Sequence, residues 1–157
     1  MAGLNLDIPG FGRLELTNLV MDLNGTLCVD GALAAGVEKA LGALSGLFNC
    51  HVVTADTHGT AKSLFSDEIA VTTIAKGREN QAKEQLIQSL GGRNTAVLGN
   101  GANDQAMFRA ARLGVAVMGP EGIYAPLLNA ADIVVTSPEQ ALKLFLHPKR
   151  LLATLRS

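Results

Sequence analysis

Apolar and polar residues alternate with period two over 4–8 (LNLDI) and again over 13–16 (RLEL), either side of Pro9-Gly10-Phe11-Gly12. Alternation about a Pro-Gly turn predicts an N-terminal β-hairpin. The pattern then changes. Residues 18–23 (NLVMDL) form a compact apolar run, suited to a strand buried on both faces. Residues 27–33 (LCVDGAL) predict a second, small hairpin turning at Asp30-Gly31. Beyond it the period alternates between helix and strand. Helical spacing covers 36–47, 57–65, 78–90, 103–113 and 122–130. Short β-rich runs cover 50–55, 70–75, 94–100, 114–119 and 132–136. Gly91-Gly92 ends the third helix, Ser137-Pro138 caps and opens one over 137–146, and Pro148 opens a terminal helix over 148–156.

Near-continuous apolar strands alternating with helices predict an α/β fold, a Rossmann-like three-layer parallel sheet with helices on both faces. No repeat or low-complexity linker divides residues 1–157, so a single domain is expected. Composition sharpens this. Apolar residues make up 48% and aromatics only 4%, so aliphatic side chains must fill the core. A net charge of −1 without a block of like charge argues against nucleic acid as a partner. No apolar run has membrane-spanning length and the N-terminus has no signal-peptide pattern, so no membrane partner is expected. Cys28 and Cys50 form no paired motif and read as buried reduced thiols, which points to the cytoplasm.

Ligands of such sheets bind beyond the carboxyl ends of the strands. Three predicted strands end there in polar residues: Asp22, Thr54 and Asn100. Lys83 lies on the helix before the last of these strands, and Asp104 opens the next helix. Taken in order, DLNGTL (22–27), VVTAD (52–56), Lys83 and GNGANDQAM (99–107) resemble the four motifs of the haloacid dehalogenase-like (HAD) superfamily. The wording, including the tail 141–156, is most similar to small stand-alone members called soluble P-type ATPase-like proteins. The match covers nearly the whole chain.

That resemblance implies an enzyme, a Mg²⁺-dependent phosphohydrolase. Asp22 would be the nucleophile, forming an aspartyl phosphate. Thr54 would bind a phosphoryl oxygen, and Lys83, rather than Lys76, would neutralise charge. Gly25, Thr26 and Ala55 would complete the phosphate cradle, with Gly99 and Gly101 letting the backbone approach. Asp22, the Asn24 carbonyl, Asn100 and Asp104 would hold Mg²⁺, Asn103 shaping the loop. The intervals 23–53 and 55–99 leave no room for a cap domain. The capless resemblance points to a homo-oligomer with an open cleft and a phosphorylated substrate of unspecified identity.

Two positions depart from the family. Asn24 stands where phosphatases carry an acid/base aspartate, a group worth roughly 10²–10⁴-fold in rate. Asn100 replaces a metal-binding aspartate. Slow turnover follows from the first and weaker Mg²⁺ affinity from the second. The alternative is a catalytically weak phosphate-binding or regulatory module. His51, His58 and His147 have no ligand spacing and read as structural or exposed.

Overall fold

The computed structural model describes residues 2–56 and 59–157. Strands β1 (Leu4–Ile8) and β2 (Gly12–Leu16) form the antiparallel hairpin, Leu4 opposite Leu16. Strand β3 (Asn18–Asp22) is buried throughout, its Leu19-Val20-Met21 core suited to a central strand. Strands β4 (Cys28–Val29) and β5 (Ala32–Leu33) make the second hairpin. Its turn has Asp30 at φ 51° and Gly31 at φ 79°, the paired left-handed residues of a type I′ turn.

Helix α1 (Val37–Ser45) leads to β6 (Asn49–Thr54), and β7 (Ala70–Thr73) precedes α2 (Glu79–Leu90). Strand β8 (Thr95–Gly99), helix α3 (Gln105–Ala110) and strands β9 (Leu113–Val117) and β10 (Ile133–Val135) follow. Helices α4 (Pro138–Leu146) and α5 (Pro148–Leu155) end the chain. The Ser137 hydroxyl accepts the Gln140 N–H at 3.1 Å, the cap expected from Ser-Pro.

Six strands form one parallel sheet in the order β10-β9-β8-β3-β6-β7, so β3 lies between β8 and β6. Side chains of alternate parity leave each strand on opposite faces. Leu19, Met21, Val52 and Leu98 face a large apolar core shared with α1, α4, α5 and the first hairpin. Val20, Val53, Val97 and Ala116 face a smaller core with Ile87 of α2 and Met107 and Phe108 of α3. The only chain inserted between β3 and α1 is the small hairpin and its flanks, and no cap domain is built there.

Three expected helices are shorter than their patterns suggested. Ala61–Leu64 and Ala125–Asn129 are 3₁₀ turns, and Ala102–Asp104 is a 3₁₀ turn before α3. Gly59 (φ 71°) and Gly122 (φ 83°) hold left-handed backbone at or near the expected starts of the first two. In the third, the Asp104 side chain binds backbone N–H groups and tightens the turn. The expected start of the 57–65 helix, and His58, lie outside the described residues. Among those residues, no helix is long and apolar enough to cross a membrane.

Candidate active site

Asp22 ends β3, Thr54 ends β6 and Asn100 follows β8, so three adjacent strands deliver these residues to the carboxyl edge of the sheet. They line a cleft of about 360 Å³ with Asn24, Ala55, Lys83, Gly101 and Asn103. The cleft's other wall is the start of α2, at Glu79, which the sequence pattern did not single out because it reads as an ordinary first-turn acid. His51 and His147 are not among the lining residues.

Lys83 is the centre of the arrangement. Only 1% exposed, it carries its ammonium across α2 toward the sheet. The Nζ atom donates to Asp22 Oδ1 at 2.9 Å, Asp104 Oδ1 at 2.7 Å and Asn103 Oδ1 at 3.0 Å. All three ammonium protons are thereby used. Burial alone would lower the Lys83 pKa, but the Asp22 and Asp104 carboxylates outweigh it and raise it, so the amine stays charged. Burial, reinforced by Asp104, pushes the Asp22 carboxyl up to about 6 against the pull of Lys83 and Thr26. At neutral pH Asp22 is therefore still mainly ionised.

The loop after β8 is held from inside. Asp104, fully buried, accepts the N–H groups of Asn100 and Gly101 on Oδ2, both at 3.0 Å. A Cβ at Gly99 would come within 2.6 Å of that oxygen, so only glycine fits. Asn80 on α2 fastens the same loop from outside: its amide donates to the Ala102 carbonyl at 3.3 Å, and its Oδ1 accepts the Ala106 N–H at 3.3 Å. Asn80 also escaped the sequence reading, because an exposed helical Asn carries no motif.

Thr26 connects the first loop to the third. Its hydroxyl lies 3.2 Å from Asp22 Oδ2 and 3.0 Å from Asn100 Oδ1. One hydroxyl proton cannot satisfy both acceptors, so two oxygens converge with coordinating capacity to spare. Gly25 brings the loops this close, with φ +78° and room for no Cβ, which would meet the Asn100 amide at 2.7 Å. Thr54 is buried, and its hydroxyl accepts the Asp56 N–H at 3.1 Å, leaving its own proton to donate.

These donors fit a hard divalent cation. Asp22, Asn100 and the Asn24 carbonyl offer oxygen alone, which Mg²⁺ prefers. Asp104 differs from its neighbours: Oδ2 is filled by two amides and Oδ1 is paired with Lys83. Among the described residues no three His, Cys, Asp or Glu side chains gather as a metal cluster. Asn24 itself is exposed at the cleft mouth.

No family model matches the chain. The uncharacterised protein MJ0073 of Methanocaldococcus jannaschii is 37% identical over 84 residues, 51% of this chain and 90% of that protein. The probable copper-transporting ATPase HMA5 of Arabidopsis thaliana is 29% identical over 122 residues, 76% of this chain but only 12% of that protein. Among solved structures, the cobalt-bound deoxy-D-mannose-octulosonate 8-phosphate phosphatase of Haemophilus influenzae superposes with a TM-score of 0.70 at 15% identity, covering 91% of this chain and 94% of the other. The corresponding phosphatase of Moraxella catarrhalis, in complex with magnesium, phosphate and KDO, gives 0.62 at 18%, covering 88% and 90%. A Streptomyces avermitilis protein described as a HAD family hydrolase gives 0.62 at 21%, covering 82% of each chain.

Proposed function

We propose that this chain, which belongs to one family with MJ0073 and has the fold of the haloacid dehalogenase-like superfamily, is a Mg²⁺-dependent phosphohydrolase acting through an aspartyl phosphate on Asp22. The observation that carries the reading is the buried Lys83 ammonium, hydrogen-bonded at once to Asp22 and Asp104 beneath an open cleft. A structural ion pair alone does not need a third strand to end in a hydroxyl, Thr54, in the same cleft.

Asp22 attacks phosphorus, the P–O bond to the leaving group breaks, and the acyl phosphate forms. Water then attacks that phosphorus, releasing inorganic phosphate and the Asp22 carboxylate. Lys83 remains protonated throughout and offsets the charge shared by Asp22 and the phosphoryl oxygens. The Thr54 hydroxyl and the Gly25 and Thr26 backbone orient those oxygens. Asp22, the Asn24 carbonyl and Asn100 would hold Mg²⁺, which would supply charge neutralisation between the nucleophile and the phosphate. Asp104 acts by holding Lys83 and the Asn100-Gly101 turn in place.

Asn24 cannot give a proton to the departing oxygen or take one from water. Turnover is therefore slow, and substrates with acidic leaving groups, such as aryl and acyl phosphates, are favoured over alkyl phosphates. Similarity to one segment of a transport ATPase does not extend to nucleotide-driven transport, since the chain matches only 12% of that protein. A second reading, a phosphate-binding module with negligible turnover, is favoured by Asn24 and Asn100.

Mg²⁺-dependent hydrolysis of phenyl phosphate by wild type, Asp22→Asn and Asn24→Asp separates the two. Activity that disappears in Asp22→Asn and rises in Asn24→Asp, by up to roughly 10²-fold, establishes the enzyme. Three equally inactive proteins that still bind inorganic phosphate establish the module.

A further inference from the structure

Next to the catalytic cleft lies a second hollow, of about 370 Å³, lined by Leu23, Cys28, Ala61, Leu64, Thr60 and Lys76, among others. Asn24 and Ala55 line both hollows. The two are therefore compartments of one depression, meeting at Ala55 and at Asn24, the position of the family's acid/base residue. Its size is at the lower end of the ~300–1,000 Å³ typical of small-molecule sites.

Its walls differ from those of the first compartment. Leu23, Cys28 and Ala61 are buried and present an apolar floor. Leu64 is 36% exposed at this hollow, one of the few large apolar side chains on the surface. Lys76 is exposed and in no salt bridge among the described residues, and its charge adds a minor pull to Glu79, whose pKa backbone hydrogen bonds chiefly lower. The acid on this wall, Asp56, is already engaged, its Oδ2 accepting the Thr60 hydroxyl at 2.6 Å. A half-covered leucine and an exposed ammonium thus share one small concavity beside the phosphoryl site.

We infer that this second compartment receives the leaving group, and that it selects phosphate monoesters whose organic part is compact and apolar on one side and carries a second anionic group for Lys76. The inference rests on the reading of the first compartment as a phosphoryl site and adds the class of substrate. Leu64 and the floor exclude water from the organic part. Lys76 makes a charge-assisted contact with a carboxylate or second phosphate, and the Thr60 hydroxyl donated to Asp56 Oδ2 partly offsets the repulsion that this carboxylate exerts on the anionic end.

Binding of non-hydrolysable phosphonates tests this without depending on turnover. Methylphosphonate fills only the phosphoryl compartment, phenylphosphonate adds a ring, and the 3- and 4-carboxyphenylphosphonates add a charge. Calorimetric titration in Mg²⁺ is expected to rank at least one carboxyphenyl compound tightest and methylphosphonate weakest. Lys76→Gln should weaken that carboxyphenyl compound roughly fivefold, the size of one exposed charge pair, while phenylphosphonate changes less than twofold. Leu64→Ser should weaken both aryl classes by roughly threefold to tenfold and spare methylphosphonate. Equal affinity for all the phosphonates in wild type overturns the inference, as does an equal effect of either substitution on methylphosphonate. Failure of all of them to bind overturns it too. Acetyl phosphate hydrolysis by wild type and Asp22→Asn, run alongside, reports separately on the phosphoryl site: loss of its Asp22 dependence sinks the catalytic reading while the phosphonate ranking stands on its own.

Discussion

The two faces of the central sheet are covered by helices in different ways. On one face α4 buries Pro138, Ala141, Leu142, Leu144 and Phe145, and Phe145 meets Phe48 edge-on with ring centroids 5.9 Å apart. On the other face α2, a longer helix, buries only Lys83 and Ile87. The first face is a continuous apolar core with the hairpin and α5 packed onto it. The second gives up part of that contact to carry a cation under the end of β3. Stability is thus concentrated on the face away from the site, and the face that holds the site carries buried charge that costs stability unless paired.

Replacing the pivotal cation should produce the largest change. Lys83→Met leaves Asp22 and Asp104 facing each other without a counter-ion. It should lower turnover at least 10²-fold and destabilise the fold by about 3–5 kcal/mol. Steady-state assays and urea unfolding measure both effects. Wild-type turnover in this variant would remove Lys83 from the chemistry.

Truncation on the opposite face should separate stability from activity. Phe145→Ala empties part of the larger core and should cost about 3–4 kcal/mol in denaturant unfolding, with turnover per folded molecule within twofold of wild type. A large loss of turnover at full folding would show that the faces are not independent.

The smallest of these effects is in pH dependence. In the metal-free protein the Asp22 carboxyl is raised from 3.8 to about 6, so between these values the folded state holds a proton that the unfolded chain has released. This contribution to stability is complete below pH ~4, lost as pH rises through ~6, and constant above. Asp22→Asn lacks it. The stability of the variant relative to wild type should climb by on the order of 2 kcal/mol between pH 4 and 7 in EDTA, read by chemical unfolding. A constant difference across that range would mean that Lys83 holds Asp22 ionised more firmly than burial opposes it.

Much of the fold was legible in the sequence. Both hairpins and the six strands of the parallel sheet announce themselves by their apolar patterns, and the Ser137 cap by its side chain. Helix length was less legible. Residues 103–113 have helical spacing, yet Ala111 and Arg112 leave the helix, and the Arg112 N–H instead bonds the carbonyls of Gly92 and Thr95. Spacing cannot anticipate that competition. The candidate site was legible where a polar residue interrupts an apolar strand, as at Asp22, Thr54 and Asn100. Glu79 and Asn80 were not, since a polar residue on an exposed helical turn looks the same whether or not a cleft lies beside it.

By itself the sequence determined the elements, the polar strand ends proposed to carry the chemistry, and the two asparagines that depart from the family pattern. These are local properties: period, turn residues and the proton capacity of one side chain. The tertiary structure alone decided that β3 sits between β8 and β6 and that Lys83 reaches Asp22 from sixty-one positions away. It also decided that Asp104 spends its oxygens on Lys83 and on two backbone amides, and that a second compartment adjoins the first. Each of these depends on which distant segments share a neighbourhood, and that is settled by how the sheet and its two helical layers bury their apolar faces together.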